Sequence, residues 1–328
     1  MLTPQEILQD AWCFMRNRVL FTAVELDIFT KLAHCHYTAA EMARDGGWEV
    51  RATTRLLDAL TALNFLSKEA GRYRLTEASQ ALATDHPASI RPMLLHLNHI
   101  WRNWSNLTEV IRLGKNADLK KIGDWGGEVQ EAFIGAMHVI GRELAEEIAA
   151  SYDLSPFHKL LDIGGASGTY TMAFLRRNPA MRAVLFDFAP VLTMAKERLA
   201  AEGFLGRVEL AAGDFYTDEL PPGCDLALLS AIIHQNSPEQ NIDLYKKIHR
   251  ALVPGGVVLI RDHIMDETRT KPPAGAMFAL NMLVNTSGGD TYTLAEVQET
   301  LEAAGFTEVR LIRSGERMDC LVEARKPA

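Results

Sequence analysis

Leu160-Leu161-Asp162-Ile163-Gly164-Gly165-Ala166-Ser167-Gly168, running on into Thr169-Tyr170-Thr171-Met172-Ala173-Phe174-Leu175, is the stretch whose reading decides the fold. The apolar run reads as a buried strand, the glycines as a tight turn that lets a ligand approach the backbone, and the residues after Gly168 as a helix. The spacing Gly164-x-Ala166-x-Gly168 is not the Gly-x-Gly-x-x-Gly of a dinucleotide site, where a helix N-terminus faces a pyrophosphate. About twenty residues on, Ala183-Val184-Leu185-Phe186 ends in Asp187, where a carboxylate can accept both hydroxyls of a ribose. Gly213-Asp214-Phe215 then offers a carboxylate to an exocyclic amine and a ring to a purine face. Together these outline an adenosine pocket without a phosphate.

Working outward, strand and helix patterns alternate from about Phe157 to the end of the chain. Strands are expected at Lys159 to Ile163, Ala183 to Asp187, Arg207 to Ala211, Asp225 to Ser230, Val257 to Asp262, Glu308 to Ile312 and Asp319 to Ala324. Helices between most of them imply βαβ units and a mainly parallel sheet. The last two strands, joined by Ser314-Gly315-Glu316, should pair antiparallel. Ligands of such sheets sit at the carboxyl ends of the strands.

The N-terminal part reads differently. Ile7, Ala11, Phe14, Val19, Ala23 and Leu26 mark one stripe of a long amphipathic helix or helix pair over residues 4 to 32. Thr38 with Glu41 three residues on is a capped helix start, and a further helix covers Arg51 to Leu60 and Leu63. Ser67 to Leu75 reads as a small hairpin, so the order is helix, helix, wing. Ala88 to Ser151 is again helical, with breaks at residues 113–118 and 123–127. Trp101, Trp104, Trp125, Phe133 and Met137, with His96, His99, Asn103 and His138, suit either an apolar cavity with a few polar groups or plain core.

Composition narrows the function classes. The chain has 328 residues, 48% hydrophobic and 23% charged, which is room for two domains with substantial cores. A formal charge of -8 argues against nucleic-acid binding as the main activity, because that work needs clustered Lys and Arg. No basic segment with an apolar core opens the chain and no apolar run reaches membrane-spanning length, so a cytoplasmic location without membrane attachment is expected. Cys13, Cys35, Cys224 and Cys320 show neither a disulfide framework nor metal-ligand spacing, and the neighbours in His34-Cys35-His36 cannot easily turn toward one metal.

Asp-x-Gly-Gly-x-Ser-Gly at 162–168, Asp187, Gly213-Asp214-Phe215 and Pro254-Gly255-Gly256 resemble the S-adenosylmethionine-binding domain of class I methyltransferases. Over nearly its whole length the chain resembles the bacterial and plant small-molecule O-methyltransferases with a helical N-terminal dimerisation domain. The resemblance implies an α/β fold: a Rossmann-like, mostly parallel sheet with an antiparallel last strand, joined to an all-helical winged-helix N-terminal domain. It implies a dimerisation domain with linker helices over 1–150, a methyltransferase domain over 151–328, and a homodimer formed through the N-terminal part. The rival that the winged helix raises is a small-molecule-sensing DNA-binding regulator. Its would-be recognition helix carries only Arg51 and Arg55 as cations and is otherwise rich in Leu and Ala, which suits packing better than groove reading.

For the site, the resemblance assigns Gly164, Asp187, Asp214 and Phe215 to S-adenosylmethionine, with Ser230 near its methionine part and Asp162 opening the turn and balancing the positive sulfonium. Phe133 and Met137 match positions near the acceptor. His234, just after the fourth strand, stands where the family has the base that takes the acceptor's proton; imidazoles titrate near neutrality and suit that role. Asp262, at the end of the fifth strand, stands where the family orients that base, fixing its tautomer through one ring nitrogen. Three departures are visible: Gln235 and Asn236 replace the usual Asp and Trp, and Thr291 stands where plant members have a second flanking acid. The departures leave open transfer to carbon or nitrogen, or non-methylating chemistry on the same cofactor. Asn281 and Asn285, four apart on one helix face in the segment that roofs the acceptor in the family, are candidate hydrogen-bond partners for it. Methyl transfer from a sulfonium is a direct displacement and requires no metal; a mononuclear site of His234, His263 and Asp262 is the alternative.

Overall fold

The structure is a computed structural model that describes residues 2–117, 119 and 127–328. Contacts divide it into two units, Met1–His99 with Gly126–Val139, and Ile100–Trp125 with Ile140–Ala328.

In the first unit, α1 (Pro4–Glu25) starts at a Thr3–Glu6 capping box and is followed by α2 (Ile28–His34). Strand β1 (Tyr37–Thr38) leads into α3 (Ala39–Gly46), whose Thr38–Glu41 capping box is the one expected. Helix α4 (Val50–Ala62) precedes the hairpin of β2 (Leu66–Glu69) and β3 (Arg72–Leu75). Its two turn residues, Ala70 and Gly71, both have positive φ (47° and 78°), which matches the twist of a tight hairpin. The wing is larger than expected, because β1 adds a third strand on β3; two residues are too few to show a period in the sequence. Phe29, Met42, Leu57, Leu60, Leu66 and Tyr73 are buried there. The first half of α1 departs from the expected stripe: Ile7, Leu8, Trp12, Phe14 and Met15 are all more than half exposed, and only Phe21, Ala23 and Val24 are buried. Helices α5 (Arg91–Ser105) and α7 (Gly127–Ser151) are divided between the two units, and α6 (Leu107–Leu113) belongs to the second.

The second unit is built on a seven-stranded sheet. Its strands are β4 (Lys159–Ile163), β5 (Arg182–Asp187), β6 (Val208–Ala212), β7 (Cys224–Ser230), β8 (Leu252–Asp262), β11 (Thr307–Arg313) and β12 (Cys320–Arg325), with β9 (Ile264–Met265) and β10 (Tyr292–Thr293) as a separate parallel pair. The order is β11-β12-β8-β7-β4-β5-β6, with β4 to β8 parallel and the last two strands antiparallel. The chain runs outward from β4 to β6 and then crosses back to β7 on the other side of β4. That reversal opens a crevice at the carboxyl ends of β4 and β7, the usual ligand position in open α/β sheets. Strand β8 begins five residues before Val257, because Leu252 already pairs with Cys224 and a bulge absorbs Pro254-Gly255-Gly256. Helices α8 (Thr169–Arg177), α9 (Ala189–Ala201), α10 (Pro238–Ala251), α11 (Pro273–Asn285) and α12 (Leu294–Ala303) fill the connections.

Two apolar clusters cover the sheet, one holding Leu161, Ile163, Leu229 and Tyr245, the other Leu160, Leu185, Leu228 and Leu259. Leu144, Ala145, Ile148 and Ala149 of α7 belong to the second, so the core of this unit reaches back before residue 151. Among the described residues no helix is long and apolar enough to cross a membrane. Leu229 is wholly buried in a central strand; Leu229→Ala should lower the unfolding free energy by about 2–5 kcal/mol, measurable as an earlier urea midpoint.

Candidate active site

The Gly-rich turn after β4 takes its shape from positive φ at Gly164 (66°) and Gly168 (76°). A Cβ on Gly164 would stand 2.8 Å from Ile232 Cδ1 and in ordinary contact, 3.5 Å, with Phe215 Cε1, so the left-handed φ and the Ile232 methyl together favour glycine there. Asp187 ties β5 to the same turn. One of its carboxylate oxygens accepts from the Ala166 N–H (2.9 Å) and the other from the Phe188 N–H (2.7 Å). A carboxylate has about four lone-pair sites, so one on each oxygen remains for a vicinal diol. Burial pushes the Asp187 carboxyl up. Asp214 Oδ1 accepts from the Tyr216 N–H (2.8 Å), and the Phe215 ring packs at 4.6 Å on that of Tyr216. The structure thus brings Gly164, Asp187, Asp214 and Phe215 to one edge of the sheet, in a cradle that fits an adenosine cofactor.

Asp162 is 1% exposed, and Oδ2 accepts from the Thr171 hydroxyl (2.5 Å). Burial, with the nearby Asp187 charge adding to it, raises its carboxyl to about 6. Ser230 Oγ accepts from Arg261 Nε (2.9 Å); the same guanidinium donates to the Met318 carbonyl (3.0 Å) and lies 5.0 Å from the centre of the Tyr170 ring.

His234 and Asp262 form the dyad expected of them. The Nδ1–H of His234 donates to both carboxylate oxygens, at 3.0 and 2.9 Å, and both residues are buried. Because the carboxylate only accepts, Nδ1 carries a hydrogen, which in the neutral ring leaves Nε2 as the acceptor. Asp262 Oδ1 also accepts from the His263 N–H (2.8 Å). Burial alone would raise the Asp262 carboxyl, but the His234 ring and the Arg261 guanidinium outweigh it and hold it below the ordinary carboxylate range. The Phe278 ring of α11 meets the His234 ring edge-on at 4.8 Å. His263 also packs against Phe278, ring centres 5.4 Å apart, with Nδ1 buried and unpaired, and among the described residues no His, Cys, Asp or Glu cluster is arranged to hold a metal ion. Thr291 is buried but donates to the Gly275 carbonyl (3.4 Å).

Asn281 and Asn285 share a helix face as expected, but their oxygens are already engaged. Asn281 Oδ1 accepts from Trp104 Nε1 (2.8 Å) and Asn285 Nδ2 (2.9 Å), and Asn285 Oδ1 accepts from Asn103 Nδ2 (2.7 Å). Asn285 is therefore chiefly a brace for Asn281. In the first unit Phe133 packs against His96 at 5.3 Å between ring centres, and burial lowers His96 to about 4, leaving it neutral; Met137 is half-buried. Trp125 lies outside the described residues. Sequence reasoning missed the left-handed Ala166 (φ 49°) and Ala231 (φ 58°), which turn the chain at the ends of β4 and β7, since alanine gives no hint of that conformation.

Comparison with known proteins agrees with this geometry. Residues 104–307 match the model of the O-methyltransferase domain and residues 8–85 that of the O-methyltransferase dimerisation domain. The chain belongs to the O-methyltransferase family. It is 33% identical to the tetracenomycin polyketide synthesis 8-O-methyl transferase TcmO of Streptomyces glaucescens, over 99% of this chain and 97% of that one. It is also 33% identical to the 3-hydroxy-5-methyl-1-naphthoate 3-O-methyltransferase of Streptomyces sahachiroi, over 91% and 88% of the two chains. Among solved structures, PigF with SAH superposes with a TM-score of 0.90 at 25% identity, over 99% of this chain and 100% of that one. Human N-acetylserotonin methyltransferase in complex with SAM gives 0.83 at 27% identity, over 100% and 99%. This O-methyltransferase family member is an S-adenosylmethionine-dependent enzyme.

Folded Asp162 keeps its proton up to about pH 6 against 3.8 for a free side chain. Its contribution to stability is present below the lower value and lost as pH rises through the higher one. Asp162→Asn keeps an acceptor for Thr171 but cannot ionise. In the ligand-free protein the variant should therefore gain on wild type by about 2 kcal/mol between pH 4.5 and 7.5, seen as a widening difference in Tm.

Proposed function

We propose that the protein transfers the methyl group of S-adenosylmethionine to a hydroxyl of a small apolar acceptor, aromatic or polyketide-like, with His234 as general base. The buried His234–Asp262 pair carries this reading. It holds the imidazole in the tautomer whose Nε2 can receive the hydroxyl proton as the oxygen attacks the methyl carbon. The methyl leaves sulfur with the bonding pair returning to sulfur, so the cofactor supplies an already activated carbon. The polyketide and naphthoate substrates in the relatives' names support the acceptor class.

In this assignment Asp187 holds the ribose, Asp214 and Phe215 the adenine, and Gly164 the close approach of the cofactor. Ser230 lies near the methionine part, and Asp162 offsets the sulfonium charge. Asn281 meets the acceptor with Asn285 behind it, and Phe133 and Met137 keep their family assignment as acceptor contacts. Division of labour falls at about residue 150, between a dimerisation and linker part and a methyltransferase part. A second copy of the chain covers the apolar first half of α1, giving a homodimer, and the enzyme works in the cytoplasm without nucleic acid or membrane.

Calorimetric titration with S-adenosylhomocysteine is the first test: wild type should bind and Asp187→Ala should not, and a folded wild type that does not bind would overturn the reading. In a screen of phenols and polyketides, His234→Ala should lower turnover by about 10² to 10⁴ while retaining cofactor affinity. Asp262→Asn should approach the same loss, because an amide in that place no longer dictates the tautomer.

A further inference from the structure

Asn236 stands where the family pattern has Trp, and it is wholly buried. A buried amide is stable only when its donors and acceptors are met, and here both side-chain bonds of Asn236 tie the His234 turn to another element. Its Nδ2 donates to Asn241 Oδ1 on α10 (2.9 Å), and Asn241 Nδ2 returns to the Ile233 carbonyl (3.0 Å). Its Oδ1 accepts from the Tyr216 hydroxyl (2.6 Å), and its carbonyl accepts from the Tyr292 hydroxyl. Tyr216 in turn belongs to the loop after β6: its N–H caps the Asp214 carboxylate and its ring packs on Phe215. Helix α10 splints both ends of this link, since Lys247 Nζ donates to the carbonyls of Phe215 (3.0 Å), Tyr216 (2.8 Å) and Asp218 (2.9 Å). On the opposite side a Cβ on Gly289 would stand 2.3 Å from the His234 carbonyl oxygen, so the turn is backed there by bare backbone.

We infer that Asn236 is a positioning residue which, through the Tyr216 hydroxyl, couples the loop carrying Asp214 and Phe215 to the turn carrying His234, so that filling the cofactor site sets the orientation of the imidazole. The inference rests on the assignment of Asp214 and Phe215 to the cofactor. The direct link is the Tyr216–Asn236 bond, braced by α10 through Lys247 on the loop and Asn241 on the turn, so ordering the loop restricts the turn.

Tyr216→Phe tests it by removing only the hydroxyl of a residue that is 44% exposed, with its urea midpoint checked against wild type to show that it folds. The His234 ring-nitrogen NMR shifts, which report tautomer and hydrogen bonding, are compared in wild type, Tyr216→Phe and Asn236→Ala, with and without S-adenosylhomocysteine. In wild type the ligand should move these shifts. In Tyr216→Phe the ligand-free shifts should differ from wild type, the ligand-induced change should be lost, and affinity for S-adenosylhomocysteine should fall by about five-fold, as for one lost hydrogen bond. Asn236→Ala should show the same pattern. A Tyr216→Phe protein with wild-type affinity and wild-type His234 shifts overturns the inference. So does one that binds more weakly with unaltered shifts, since Tyr216 would then serve the cofactor side alone. A wild type that does not bind the ligand overturns the cofactor assignment instead, and the ligand-free shifts still report whether Tyr216 reaches His234.

Discussion

The close approach of the β4 turn to the end of β7 is the constraint on which the second unit depends. Gly164 takes a left-handed φ of 66°, and a Cβ there would press on Ile232 at 2.8 Å while meeting Phe215 at ordinary contact distance. The contact brings the Gly-rich turn, the loop after β6 and the turn that carries His234 to one place. It is available only because β4 lies between β5 and β7. The strand order makes the crevice, and the glycine makes it narrow.

Of the four carboxylates around that crevice, Asp162, Asp187 and Asp262 are each stabilised differently. Asp187 is held by two backbone N–H groups, Asp262 by an imidazole and the charge of a guanidinium, and Asp162 by the hydroxyl and backbone N–H of Thr171. Burial disfavours the charged form of all three. Only Asp262, with cationic company, ends below the usual range, while Asp162 and Asp187 end above it. A cationic cofactor would favour the charged forms of the latter two, which suits a sulfonium more than a phosphate-bearing ligand.

Loss of the usual Asp and Trp after His234 does not leave the turn unsupported. Asn236 fills the second place with a small buried network in which Tyr216, Asn241 and Tyr292 each meet one of its polar groups. Such a network fixes one geometry, because shifting any member leaves a buried group unpaired. An indole would fill space without requiring those particular partners.

The sequence by itself determined the strands of the sheet to within a residue or two at most ends, the Thr38 cap and the wing hairpin. These depend on local periodicity and on glycine and capping chemistry, which are written in consecutive residues. His234 and Asp262 were singled out by the family resemblance, which matched them to positions after the fourth and at the end of the fifth strand. What the sequence could not determine depends on residues far apart in the chain. Asn281 looked like a free amide, and only packing showed its oxygen given to Trp104 and Asn285. The apolar stripe of α1 looked like core, yet burial is a property of neighbours, and among the described residues its first half stays exposed. The bonds from Tyr216 and Tyr292 to Asn236 span 20 and 56 residues, and no local pattern records them. Local chemistry fixed which elements form, and tertiary packing decided which polar groups remain available once they meet.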